Sequence, residues 1–334
     1  MSNRLASLLS ASLLACAPGA ALAQGAAPPA VLAQPTSTVA PVTVEGELKP
    51  QMVEKQARAF TEAYAASSAE LGQIARWRDP LCVHVVGLIR PDQGAMIKAR
   101  IEDVAKAVDQ RVLGPGCTAN IEVVFTDKPQ VLMDNVAHHR ELALGYYHRH
   151  EGAKLKQVTH PIQAWYVTAS AGDFGNNGAM GFTIVTGEGP PPATWSYQAH
   201  QEVVDDPDNQ APTGCGDAPH FTGCLKSVFR NILVVADTRA LEGKDAGLLS
   251  DYIVMVTLAQ PRSLDDCNVL PSVLDLMAKS ACPGHAPPDG LTPADAAYLT
   301  ALYTADPEAR KWGQVTDISG RMARILIGAG VVSR

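Results

Sequence analysis

Six cysteines stand in three close pairs along this chain, Cys82 with Cys117, Cys215 with Cys224 and Cys267 with Cys282, and they restrict its folding more than any other feature. No C-x-x-C occurs and no two cysteines have zinc-ribbon spacing, which favours structural disulfides over a metal site or a catalytic thiol. Oxidised pairs place the protein in an oxidising compartment. Six cysteines permit fifteen connectivities, so local structure has to choose among them. Leu81 to Leu88 alternates and is rich in β-branched residues. Gly94 to Gln110 carries Met96, Ile97, Ile101, Val104, Ala105 and Val108 at a helical period, and Ile121 to Phe125 reads as strand again. In such a strand-helix-strand unit the starts of two parallel strands lie side by side, which brings Cys82 to Cys117. Cys215 and Cys224 enclose a turn-rich loop, and Cys267 and Cys282 bracket a short predicted helix from Leu270 to Lys279. Three disulfides are therefore expected, each worth about 3 kcal/mol through loop closure.

Met1 to Ala23 has the form of a secretory signal: Arg4, an apolar stretch from Leu5 to Ala17, and Ala21-Leu22-Ala23 before Gln24. The expected location is the periplasm or the medium. Leu13-Leu14-Ala15-Cys16 offers the alternative of a lipoprotein box, with an outer-membrane anchor on Cys16. Residues 24–50 form a Pro/Ala-rich tether, too poor in burial-competent side chains to offset ordering entropy. Residues 51–334 read as one globular domain, the alternative being two lobes divided near 240–265. No stretch reaches the roughly 18 apolar residues of a membrane helix, and a net charge of −7 with no basic block argues against a nucleic-acid partner.

Gln51 to Trp77 is helix-prone up to Pro80, and a second helix from Pro129 to Leu144 has Asp127 available as its cap. Pro161 to Ser170 alternates as a strand. Ala171 to Cys224 is a long Gly/Pro/Asn/Asp loop with brief β-like pieces at Phe182 to Thr186 and Thr194 to Tyr197. Ser227 to Asp237 has the continuous apolar run of a central strand. Helices follow at Asp245 to Ala259, Pro271 to Lys279, Thr292 to Tyr303 (Thr292 as cap, Asp295 at its third position) and Asp317 to Leu326. The fold class is α+β: a mixed sheet with a strand-helix-strand start and a helical C-terminal part.

This order is similar to that of the zincin-like metallopeptidases. The ending strengthens the likeness: Leu270-Pro271-Ser272-Val273-Leu274, then Gly290-Leu291-Thr292-Pro293-Ala294-Asp295 and Leu302-Tyr303, resembles the stretch that follows the metal-binding helix in many of them. The resemblance covers about residues 80–305 and implies a zincin-like sheet. In that family H-E-x-x-H presents two histidines one helical turn apart to Zn²⁺, with the glutamate as general base. Here Asp251, Tyr252 and Met255 stand at those positions. Asp and Met cannot hold catalytic zinc at that spacing, so the resemblance implies a scaffold without its metal, a pseudoenzyme with no cofactor.

Five histidines, His138, His139, His148, His150 and His160, crowd one segment with Glu151. They are open to three readings: a metal site on some of His138, His139, His148, His150 and Glu151, a pH-responsive patch, or a solvated helix end. Tyr146, Tyr147, Trp165 and Tyr166 are either an aromatic recognition surface or a core edge, and Asp205 to Asn209 reads as a solvated acidic turn. No nucleophile elbow, P-loop or dinucleotide fingerprint is present. The sequence thus points to an exported envelope protein, a non-catalytic binding or scaffolding module whose partner is a protein or an envelope component such as peptidoglycan. The alternative is a metal-dependent hydrolase using the histidines between His138 and His160.

Overall fold

The computed structural model describes residues 50–66, 72–145, 152–171, 180–184, 197–201 and 226–329. Helix α1 (Pro50–Tyr64) is followed by β1 (Val83–Val86), α2 (Pro91–Ala107), β2 (Ile121–Thr126), α3 (Pro129–His139) and the single turn α4 (Gly152–Leu155). Then come β3 (Ile162–Ala171), β4 (Met180–Ile184), β5 (Tyr197–Gln201), β6 (Lys226–Asp237), α5 (Ala246–Leu258), α6 (Pro293–Thr304) and α7 (Lys311–Gly328).

The main sheet has the order β1-β2-β6-β3. The first three strands are parallel and β3 runs antiparallel to β6, which makes the fold α+β with a mixed four-stranded sheet. The long apolar run of β6 explains its inner position, since it is covered on both faces and flanked by β2 and β3. Strands β4 and β5 form a separate antiparallel pair.

Alternation along the strands separates two layers. Val83, Ile121, Val123, Phe125, Ile232, Val234 and Ala236 pack with Ile97 and Ile101 of α2, with α5, and with α1, α6 and α7 in one core. Val124, Leu233, Val235 and Trp165 face the other way, against Leu132, Met133 and Val136 of α3. That smaller layer also buries an ion pair, Arg140 Nη1 to Glu122 Oε2 at 3.5 Å.

Helix α5 lies within the larger core, and every residue from Leu249 to Leu258 is buried. A helix C-terminus leaves carbonyls without intrahelical partners, and burial makes such groups costly. Three aromatic side chains meet them: Tyr166 Oη donates to Val256 O at 2.8 Å, Trp77 Nε1 to Thr257 O at 2.8 Å and Tyr303 Oη to Leu258 O at 2.8 Å. Arg76 does the same for α6, with Nη1 donating to Leu302 O at 2.6 Å and Ala305 O at 2.8 Å.

Several boundaries differ from those expected. The N-terminal helix stops at Tyr64 rather than Trp77, because Arg76 pairs its backbone with Ser227 and Phe229 and so extends the sheet edge, while Ile74 and Trp77 enter the core. Lys128, not Asp127, precedes α3, and Asp127 instead accepts from Arg239 at 2.9 Å. Leu270 to Lys279 contains only a 3-10 turn, Val273–Met277, which the disulfide and a capping box hold in a loop. The last helix begins at Lys311, well before Asp317.

The bonds Cys82–Cys117 and Cys267–Cys282 are formed, with Cα separations of 6.0 and 5.4 Å. Of the three expected disulfides these two are found; Cys215 and Cys224 lie outside the described residues, as do the signal, Cys16 and nearly all of the tether. Among the described residues no helix is long and apolar enough to cross a membrane.

Candidate functional site

Helix α5 carries Asp251, Tyr252 and Met255, the residues expected from the sequence to stand in place of a metal-binding motif, and the fold uses them structurally. Asp251 accepts from Arg100 Nε on α2 at 2.5 Å and from the Leu291 backbone N–H at 3.0 Å. Gly290 permits that approach, since a Cβ there would meet Asp251 Oδ2 at 2.9 Å. Met255 is fully buried, and so is Tyr252, whose phenol is pushed to a higher pKa by burial. Among the described residues the Tyr252 hydroxyl has no hydrogen-bond partner. Asp251 thus clamps α2, α5 and the start of α6 together, while its two companions fill the core.

Ser272, Thr292 and Asp295 lock the loop between α5 and α6. Asp295 at the third position of α6 accepts from Thr292 and from Val273 N at 2.8 Å, and Ser272 Oγ donates to it at 2.7 Å. Tyr64 reaches the same cluster from α1 through a hydrogen bond with Ser272. Burial raises the Asp295 carboxyl to about 6, against the opposing pull of its donors from Val273, Ser272 and Thr292. Tyr64, also buried, is raised well above the usual phenol value, by burial first and then by Asp295.

One turn of chain away, the same loop holds its densest set of metal-capable groups. Asp275 accepts from Asn268 N and Nδ2, both at 3.2 Å, from Ser272 N at 3.1 Å, and sits 3.0 Å from His285 Nδ1. Donor atoms of Asp275, Cys282 and His285 lie within 4.8 Å of one another, and Cys267 is bonded to Cys282. The sequence signal is Cys282-Pro283-Gly284-His285, a C-x-x-H that an inspection confined to cysteine-cysteine intervals overlooks. A second group, Cys82, His84 and Cys117, gathers at the sheet edge, where burial first and Lys98 next lower the His84 pKa.

The histidine segment does not assemble a site among the described residues. The rings of His138 and His139 stack edge to face at 4.4 Å at the end of α3. His160 instead places Nε2 2.7 Å from Asp265, which also receives Lys279 at 2.8 Å. No group of three metal-capable side chains among the described residues includes His138, His139 or His160. His148, His150, Glu151, Tyr146, Tyr147 and Asp205 to Asn209 lie outside the described residues. Trp165 and Tyr166 belong to the core edge: Trp165 Nε1 donates to Leu155 O at 2.6 Å, and Tyr166 caps α5.

No family model matches the chain, and neither a curated protein nor a solved structure matches it.

Proposed function

We propose that this is an exported envelope protein, a non-catalytic binding or scaffolding module built on a zincin-like plan that has lost its metal ligands. The observation that carries the proposal is the use of Asp251, Tyr252 and Met255 as an ion-pair clamp and core filler in a helix buried from Leu249 to Leu258. An active zincin helix needs an open face on which two imidazoles meet a metal and a substrate. The order of strands and helices, and the service of Ser272, Thr292, Asp295 and Tyr303 in joining α5 to α6, agree with the same plan. The partner is a protein or an envelope component such as peptidoglycan.

The test is zinc content and peptide hydrolysis of the oxidised protein after equilibration with Zn²⁺ and gel filtration. The expected result is no stoichiometric zinc and no cleavage of an unfolded protein substrate. One retained equivalent that disappears in H148A/H150A, together with hydrolysis, overturns the proposal in favour of a histidine-segment hydrolase. Mass analysis of the exported chain separates a start at Gln24 from a lipid on Cys16.

A further inference from the structure

We infer that the disulfide-closed loop between α5 and α6 is a thiol-gated zinc site: when Cys267–Cys282 is reduced, the two sulfurs, His285 and Asp275 form a four-donor site for one Zn²⁺. Two sulfurs, one imidazole nitrogen and one carboxylate oxygen are a set that Zn²⁺ accepts in tetrahedral geometry. Donor atoms of Asp275, Cys282 and His285 already lie within 4.8 Å of each other, and the fourth donor, Cys267 Sγ, is covalently attached to Cys282.

Contacts other than the disulfide also hold this arrangement. Cys282 to His285 closes as a turn, with His285 N donating to Cys282 O at 3.2 Å and Gly284 at φ +78°. Proline second and a left-handed glycine third are the residues of a type II turn, and the turn carries Cys282 and His285 at its two ends. Asp275 is fixed from the other side by Asn268 and by the Ser272 capping box. Its Oδ2 and the His285 Nδ1 stand 3.0 Å apart, close to the separation of two ligands on one zinc ion. Both cysteines are half-buried, so a small reductant can reach them. The group at Cys82, His84 and Cys117 is the weaker candidate, because it offers three donors and Cys82 is fully buried.

The chemistry balances with a water-soluble trialkylphosphine as reductant. The phosphine takes the oxygen of one water and becomes the phosphine oxide, the S–S bond breaks, and the two hydrogens of that water end on the two sulfurs. Zn²⁺ then forms two S–Zn bonds with release of both thiol protons, and bonds to His285 and Asp275 replace the hydrogen bond between them. The oxidised protein, its sulfurs bonded to each other, lacks two of the four ligands. The protein would therefore exchange a covalent closure of this loop for a metal closure according to redox conditions.

The experiment is cysteine-resolved alkylation of the whole protein, reduced with a phosphine and treated with iodoacetamide with or without one equivalent of Zn²⁺, and read by peptide mass spectrometry. The expected result is that zinc slows modification of Cys267 and Cys282 by about tenfold or more, the scale on which metal-site residues act. His285→Gln is expected to abolish that protection, and His285→Cys, which supplies a thiolate in the same turn, to keep it. The rescue separates loss of a ligand from loss of the fold. The proposal is overturned if zinc leaves Cys267 and Cys282 reacting at the metal-free rate in the reduced wild type, or protects them equally in His285→Gln.

Discussion

Arg100 on α2 donates to Asp251 on α5 at 2.5 Å, and the second oxygen of the same carboxylate accepts the Leu291 backbone N–H at 3.0 Å. One side chain thus ties two helices and the entry to a third. Asp251→Ala is expected to lower stability by about 1–2 kcal/mol, since it leaves a backbone donor unpaired while the guanidinium, 44% exposed, regains water. Urea unfolding checks this, and an unchanged midpoint would mean that the clamp contributes nothing.

The carbonyls at the C-terminal end of α5 give a paired test. Tyr303→Phe removes a donor from Leu258 O and is expected to destabilise by about 1–2 kcal/mol. Tyr252→Phe removes a buried hydroxyl without a partner among the described residues, and is expected to be neutral or slightly stabilising. Thermal melts of the two variants side by side decide it. A larger loss for Tyr252→Phe than for Tyr303→Phe would contradict the hydrogen-bond assignment.

Asp295 sets a pH dependence of definite sign. Its carboxyl is raised to about 6 from an ordinary value of 3.8, so the folded state prefers the protonated form. The stability from this preference is fully present below about pH 4 and is lost as pH rises through 6, by on the order of 2–3 kcal/mol for a shift of this size. Asp295→Asn lacks this titration and also breaks the capping box, so it is less stable at every pH. The difference in unfolding free energy between wild type and variant, measured from pH 4 to 7, should narrow as pH rises. A difference that is constant or widens contradicts the raised value.

The two disulfides should be separable in strength. Cys82–Cys117 closes 35 residues and Cys267–Cys282 closes 15, which the loop-entropy relation converts to about 4 and about 3 kcal/mol. Non-reducing peptide maps are expected to recover both pairs, and double alanine variants to unfold at lower urea in that order. A peptide linking Cys82 to Cys267 would refute the parallel pairing of β1 and β2.

The local sequence already contains much of this molecule. The apolar run of β6 implies an inner strand, and the period of α2 between two β-rich segments implies the unit that joins Cys82 to Cys117. Thr292 and Asp295 show the start of α6 from a spacing of three residues, because a capping box is a contact within one turn. Each of these follows from interactions between near neighbours in the chain or from a periodicity that burial imposes.

The tertiary structure alone decided what the polar residues do. Trp77 finds its acceptor at Thr257, Tyr64 finds Ser272, and Arg100 finds Asp251, partners far along the chain whose meeting no local pattern encodes. It also ended α1 at Tyr64 and set Arg76, within the stretch expected to be helical, beside β6 instead. Asp275, Cys282 and His285 converge for the same reason: a disulfide, a capping box and a glycine turn act together on one loop. Periodicity records which face of an element avoids water. Which donor meets which acceptor depends on how those faces pack.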